Sequence, residues 1–373
     1  MKFIKCKLSE LGEIVGGSTP STKKESNYGG DISWITPKDL ANFNGRYINF
    51  GERNITEAGY KSTSVKMLPI NSVLFSSRAP IGYVAINNKN EVCTNQGFKS
   101  VIPNSKTDYM FLYYLLKYNK NKIEAMGSGT TFKEVSSTVM KNIIVDVPEA
   151  KEDQIKIGKI LSELDDKIEL NTQTNDNLLE LIKTLYIDKI KNNNDANFEE
   201  KTLDEFCNIF TGKKNANESE ENGKYKFFTC APEPLSINTY IYDGPAVIVT
   251  GNGAYTGRTN FYNGKFDLYQ RTYGITTNND YIYLFYAMVY TDLQNDIMGG
   301  THGSAIPYIV MNDIAKFKVK YNKEIFDELS QEVKVLLSKI KSNEAQNETL
   351  TQLRDTLLPK LMNGEIDLDK IEI

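Results

Sequence analysis

The chain repeats itself, and that repeat restricts what it can fold into more than any other feature. KLSELGEIVGG, from Lys7, returns as TLDEFCNIFTG from Thr202, with Leu8/Leu203, Glu10/Glu205, Ile14/Ile209 and Gly17/Gly212 in register. DYMFLYYLLKY, from Asp108, returns without a gap as DYIYLFYAMVY from Asp280, and VMKNI, from Val139, returns as VMNDI from Val310. A length of 373 residues fits two ordinary domains, each with its own core. Apolar runs broken by Gly and Pro, SVLFS and YVAI in the first half and AVIVT in the second, read as short strands. One helix is expected in each domain, at Tyr109 to Tyr118 and at Tyr281 to Tyr290, which makes both domains α+β.

Each half then runs into a long heptad pattern. The first helix, roughly Asp153 to Lys191, spaces Ile157, Leu161, Leu164, Ile168, Leu178, Ile182 and Leu185 by fours and threes, interrupted by Asn171 and Asn175. The second, roughly Glu324 to Met362, offers Leu329, Val333, Leu336 and Ile340, then Asn343 and Asn347, then Leu350, Arg354, Leu357 and Leu361. An antiparallel register would bring Asn171 to Asn347 and Asn175 to Asn343, with Ile168 facing Leu350, Leu178 facing Ile340 and Leu161 facing Leu357. The ten residues from Asn192 are too few to carry the chain back along a helix some 50 Å long, at about 1.5 Å per residue, so a parallel pair is excluded. Buried asparagines fix register at a cost in stability; a hydrated, frayed seam centre is the alternative. Pro359 is expected to kink or loosen the end of the second helix, because proline removes a backbone donor.

A hydrophobic content of 40% with 25% charged residues is that of a water-soluble protein, and no run approaches the roughly 18 apolar residues of a membrane span. The N-terminus has no continuous apolar stretch or cleavage site of a signal peptide, so the expected location is the cytoplasm. Cys6, Cys93, Cys207 and Cys230 are scattered and read as isolated reduced thiols. The net charge of −4 argues against a nucleic-acid binder, but it is unevenly spread. Residues 1–150 hold 19 Lys or Arg against 13 Asp or Glu, whereas residues 192–322 hold 11 against 15. A local basic face suffices for phosphate binding, so the first half fits that role and the acidic second half fits it less well.

VDVPEAKEDQIKIGKILSELDDKIELN, from Val145, and the closing LTQLRDTLLPKLMNGEI, from Leu350, resemble the two conserved regions of the specificity subunit of type I restriction-modification enzymes. SSRAPIGYVAI from Ser76, TNQGFKSV from Thr94 and GSGTTFKEVSSTVMKNI from Gly127 resemble segments of that family's target-recognition domains, so the likeness spans the chain. The resemblance implies two similar globular α+β target-recognition domains, at 1–150 and 192–322. They would be separated by two long antiparallel coiled-coil helices with pseudo-twofold symmetry, the first at 151–191 and the second, with a C-terminal tail, at 323–373. It further implies a subunit with no catalytic site that reads a bipartite target on double-stranded DNA, one half-site per domain, with the helices as a ruler. Two modification (methyltransferase) subunits would bind it, restriction subunits would join, and no membrane would be involved. S-adenosylmethionine would belong to the methyltransferases, which flip an adenine out of the duplex, and this chain would hold no cofactor. TGNGAYTGRTNFY from Thr250 and GGTHGSAIPYIVM from Gly299 depart from their counterparts in the first half, as reading two different half-sites requires.

The search for chemistry within the chain leaves little. His302 stands without a triad partner, and one histidine with dispersed cysteines makes no usual zinc site. The Gly-rich GNGAYTG and GSGT lack phosphate-loop spacing. Asp146, Glu149 and Lys151 superficially resemble a metal-dependent nuclease cluster but stand at a domain-to-helix junction, and no N-P-P-Y or D-P-P-Y methyltransferase motif occurs. Arg and Lys read guanine edges, Asn and Gln read adenine, and Ser, Thr and backbone groups bind phosphates. The candidates for DNA contact are therefore Ser76, Ser77, Arg78, Thr130, Thr131 and Lys133 in the first domain, and Thr250, Asn252, Tyr255, Arg258, Arg271, Thr301, His302 and Ser304 in the second. Lys23, Lys24, Arg46, Arg53 and Lys61 are candidates for phosphate, with a merely solvated basic face as the alternative. Two other functions stay open: a self-sufficient nuclease or nuclease-methyltransferase fusion, and a duplicated coiled-coil adaptor that binds only proteins, compatible with the acidic second domain.

Overall fold

The structure is a computed structural model, and it describes the whole chain except residues 42, 44, 79, 130–132, 195, 294–307, 367 and 369–373. It divides into two compact units: Met1–Leu170 with Gln346–Ile373, and Asn171–Ala345. Among the described residues no helix is long and apolar enough to cross a membrane.

In unit one the strands are β1 (Phe3–Lys7), β2 (Gly12–Gly16), β3 (Tyr28–Ile35), β4 (Val73–Ser77), β5 (Ile81–Ile86), β6 (Val92–Thr94), β7 (Lys99–Pro103) and β8 (Ile144–Pro148). They form a sheet of order β2-β7-β4-β5, an antiparallel β1-β8 pair and a parallel β3-β6 pair. β4 is buried along its whole length because both sheet faces are covered. Val73 and Phe75 join one core with Phe111, Leu112, Leu115, Ile157 and Leu161, while Leu74 joins another with Val15, Ala85 and Phe98. The helix Tyr109–Tyr118 starts where the Asp108 side chain accepts the Phe111 N–H at 2.8 Å, and it buries every residue from Phe111 to Leu116.

Unit two has β9 (Glu199–Thr202), β10 (Asn208–Thr211), β11 (Tyr225–Phe228), β12 (Leu235–Ile237), β13 (Tyr242–Thr250), β14 (Thr259–Leu268), β15 (Thr272–Thr276) and β16 (Lys318–Tyr321). Its main sheet, β10-β15-β13-β14, repeats the order of the first and adds β11 and β12 at one edge, and its β9-β16 pair repeats β1-β8. The alternation recurs as well: Val247 and Val249 face one core with Phe285 and Phe326, and Ala246 and Ile248 face another with Phe266 and Leu268.

The residues kept in register by the repeat have physical reasons. Leu8 and Leu203 are fully buried. Glu10 and Glu205 each accept the backbone N–H three residues before, from Lys7 and Thr202, at 2.7 Å. At Gly17 and Gly212 a Cβ would collide with backbone carbonyls of Asn95 and Leu268 respectively, so both positions need glycine.

The two long helices run Lys151–Tyr186, continuing as a π-helical turn Ile187–Lys191, and Lys323–Met362. The second continues through Pro359 and ends three residues later, where the Asn363 N–H donates to the Pro359 carbonyl at 2.9 Å. Each helix contributes one part to each unit. In unit one Ile157 and Leu161 pack in a core with Leu361, Met362 and Leu357. In unit two Ile182, Tyr186 and Ile190 pack with Leu329, Val333, Leu337 and Ile340. Within each unit the packing is antiparallel, and the Asn343 amide donates to Asn175 at 2.8 Å, as the heptad register requires. The seam differs from the apolar pattern in two places. Asp165 is buried where Leu164 was expected, and Leu337 is buried more deeply than Leu336.

Candidate nucleic-acid interface

In unit one the turn after β4 meets the segment that follows residues 130–132. The Val135 N–H donates to the Ser77 carbonyl at 3.0 Å, Arg78 pairs with Glu134 in an antiparallel bridge, and Ser128 and Glu134 exchange backbone bonds of 3.0 and 2.9 Å. Unit two repeats this register: the Ile309 N–H donates to the Gly251 carbonyl at 2.9 Å, and Asn252 bridges Tyr308. Arg78 and Glu134 therefore correspond to Asn252 and Tyr308. The same backbone frame presents a charged pair in one domain and a neutral pair in the other.

Several residues expected at this surface are occupied elsewhere. Ser76 and Ser77 are fully buried. The Ser76 hydroxyl donates to the Pro80 carbonyl at 2.8 Å and accepts the Tyr83 N–H at 2.8 Å, and the Ser77 hydroxyl donates to the Gly97 carbonyl at 3.1 Å. The Ser76 hydroxyl closes the β4–β5 hairpin and that of Ser77 ties β4 to the turn before β7, which leaves neither a surface for DNA. Thr250 is likewise buried at the end of β13. Arg46 is 3% exposed, paired with Asp166 and Glu169 of the first long helix and donating to the Ser162 carbonyl at 3.3 Å. Burial alone would lower its pKa, but Tyr114, Glu169 and Asp166 outweigh it and hold the guanidinium charged. Arg46 ties the domain to the helix, which excludes it from phosphate contact.

The remaining candidates that the structure describes are exposed or partly exposed. Arg78 is partly exposed and Lys133 exposed; Thr130 and Thr131 lie outside the described residues. Lys23, Lys24, Arg53 and Lys61 are exposed on the smaller lobe built on β3 and β6, where the Arg53 guanidinium lies 3.6 Å from the centre of the Tyr28 ring and Lys61 pairs with Glu57. In unit two Tyr255 is 44% exposed at the β13–β14 tip, with the Arg258 guanidinium 5.7 Å from its ring centre, and Arg271 is exposed in the β14–β15 turn, its carbonyl accepting the Gly251 N–H at 2.8 Å. Asn252 is half-buried and its side-chain oxygen accepts the Cys230 thiol at 2.7 Å. Thr301, His302 and Ser304 lie outside the described residues.

Sequence reasoning missed Lys99, Glu134, Cys230 and Tyr308, whose partners are remote in the chain. Part of the acid of domain two is held in ion pairs: Asp204 with Lys316, Glu200 with Lys318, Glu218 with Lys214 and Asp280 with Lys334. The suspected nuclease cluster is taken up in the same way, Glu149 by Lys2 and Lys151 by the Ser105 carbonyl. Among the described residues no group of three His, Cys, Asp or Glu is placed to hold a metal.

The family model of the type I restriction modification DNA specificity domain matches residues 2–180 and 195–352. The chain belongs to that family. It is a type I restriction-modification specificity subunit with two DNA specificity domains, and the duplicated frame above is the structural form of that duplication. The type I restriction enzyme MjaIX specificity subunit of Methanocaldococcus jannaschii is 34% identical over 408 residues, covering 98% of this chain and 94% of that one. The EcoDI specificity subunit of Escherichia coli is 34% identical over 172 residues, 44% of this chain and 37% of its own length. In fold the specificity subunit is similar to the crystal structure of the S subunit of a type I restriction-modification system from M. genitalium, with a TM-score of 0.62 at 19% identity over 97% of this chain and 96% of that one.

Proposed function

We propose that each domain, 1–150 and 192–322, reads one half of a bipartite target on double-stranded DNA, and that the chain delivers this address to partners without a catalytic site of its own. The observation that carries the reading is the repeated frame with different readers: Arg78 opposite Glu134 in one domain, Asn252 opposite Tyr308 in the other. An arginine fork suits guanine O6 and N7, whereas an amide suits adenine or a single acceptor, so the two frames select different bases. Lys133, Lys23, Lys24, Arg53 and Lys61 in domain one, and Tyr255, Arg258 and Arg271 in domain two, supply phosphate and further groove contacts.

The partners are two modification subunits, with restriction subunits joining the same assembly in the cytoplasm. The methyltransferases bind S-adenosylmethionine and extrude the adenine, and this chain carries no cofactor. The test is methylation sequencing of DNA exposed to the chain assembled with its methyltransferase subunits. A single interrupted motif is expected; methylation of adenines irrespective of sequence would refute the reading, and magnesium-dependent cleavage by the chain alone would refute the absence of a catalytic site.

A further inference from the structure

In domain one a buried cation stands behind the Arg78–Glu134 bridge. Lys99, at the start of β7, has a side chain 11% exposed, and its ammonium lies 3.3 Å from Glu134 Oε1 and 3.4 Å from the Ser77 hydroxyl. The other Glu134 oxygen lies 3.6 Å from Arg78 Nη1. One carboxylate therefore serves two cations, closely on the buried side and loosely on the exposed side.

Domain two provides a natural comparison within the same chain. Ile14 pairs with Val101 in β2–β7, and its repeat partner Ile209 pairs with Ile275 in β10–β15, which makes Tyr273 the counterpart of Lys99. Where Tyr308 replaces Glu134, Tyr273 replaces Lys99, and its hydroxyl donates to the Ile309 carbonyl at 3.1 Å. The buried lysine occurs where the carboxylate occurs, and both are absent together. A buried ammonium requires a partner, but that need would be met by any hydrogen-bonded acceptor. Tyr273 fills the same place in domain two without an ion pair, which points to a task for the carboxylate beyond satisfying Lys99.

We propose that Glu134 is a positioning residue for domain one: it aims the Arg78 guanidinium at a base edge of the first half-site, and Lys99 neutralises it from behind so that Arg78 keeps its charge for DNA. The separation of 3.6 Å is too long for a formed hydrogen bond, so the Arg78 donors are not committed to Glu134 while the carboxylate limits where the fork swings. This inference rests on domain one reading DNA through Arg78.

Three changes in the full chain, each assembled with its methyltransferase subunits, test it by methylation sequencing on a randomised-target library and by DNA binding across a salt series. Arg78→Ala should relax one position of the first half-site. Glu134→Gln should relax that same position, by about ten- to a hundred-fold in discrimination, and leave the second half-site unchanged. It should also bind non-target DNA more tightly, with a salt slope steeper by about one phosphate contact. Lys99→Met should lower affinity for all DNA, because Glu134 then neutralises Arg78. Lys99→Met with Glu134→Gln should regain affinity but keep the relaxed position, which separates this account from a folding defect in the single variant. If Arg78→Ala relaxes the motif and Glu134→Gln does not, positioning by Glu134 is overturned while the reading by domain one stands. If Arg78→Ala leaves the first half-site intact, both fail.

Discussion

Removing the Asp165 carboxylate should destabilise unit one more than removing Asp165 and Arg354 together. Asp165 is buried in the helix seam, where it accepts the Tyr114 hydroxyl at 2.6 Å and Arg354 Nη1 at 2.7 Å. Burial first, and then the Asp165 charge, hold the Tyr114 hydroxyl protonated, so it stays a donor. Asp165→Leu strands a buried hydroxyl and a partly buried cation. Breaking a buried pair from one side costs about 3–5 kcal/mol. The lower end, about 3 kcal/mol, applies because the Arg354 side chain is 20% exposed and keeps Asp355 at 2.8 Å on Nη2. For a unit of this size that is a fall in Tm of roughly 6–12 °C. In Asp165→Leu with Arg354→Leu the Tyr114 hydroxyl is still stranded but the cation is not, so the fall should be smaller than in the single variant. The single tryptophan, Trp34, is buried in the same unit, so its fluorescence during thermal or urea unfolding reports on the unit that carries the change. A double variant as unstable as the single one would refute the claim that the network is stabilised by mutual satisfaction of its charges.

In unit two, Asn343→Leu should cost about 1–3 kcal/mol by leaving Asn175 buried and unpaired, and adding Asn175→Leu should recover most of it, as read by urea midpoints. Gly212→Ala should destabilise unit two more than Gly16→Ala destabilises unit one, since a Cβ at Gly212 meets the Leu268 carbonyl and one at Gly16 meets nothing within 4 Å; hydrogen exchange of β10 and β15 would show it. Stability should fall on the alkaline side. Burial raises the Cys93 and Cys207 thiols and the Tyr47 phenol to about 12, so the folded state keeps protons that the unfolded chain releases from about pH 8.5 for thiols and 10 for the phenol. These groups leave stability unchanged below about pH 8. Above it Cys93 alone should cost up to ~1.4 kcal/mol per pH unit until pH 12 is passed, and Cys93→Ala should flatten that limb in urea titrations.

The fold was legible wherever a residue's reason was local or periodic. Leu8, Glu10 and Gly17 reappear as Leu203, Glu205 and Gly212 because a buried leucine, a carboxylate cap and a close backbone approach recur in the second frame. The antiparallel register was legible because the matched asparagines fix the layers and the short link from Asn192 excludes a parallel pair, and the Asn343 amide does donate to Asn175. What escaped was the polar interior. The apolar pattern points to Leu164, yet Asp165 is the buried residue, because Tyr114 and Arg354 meet it from segments far off in the chain. Ser76, Ser77 and Arg46 have the composition of a DNA surface, and only their partners in space, Pro80, Gly97 and the helix carboxylates, show that their donors are committed. Lys99 and Glu134 are separated by most of the domain's later sequence, and no spacing rule links them.

The most direct test of the two-reader account compares Arg78→Ala and Asn252→Ala, each in the full chain assembled with its methyltransferase subunits, by sequencing the methylated sites. The account predicts that each change relaxes one half of the motif, a different half in each case, with the other half and the gap between them unaltered. Relaxation of the same half by both variants, or an unchanged motif with either, would contradict it.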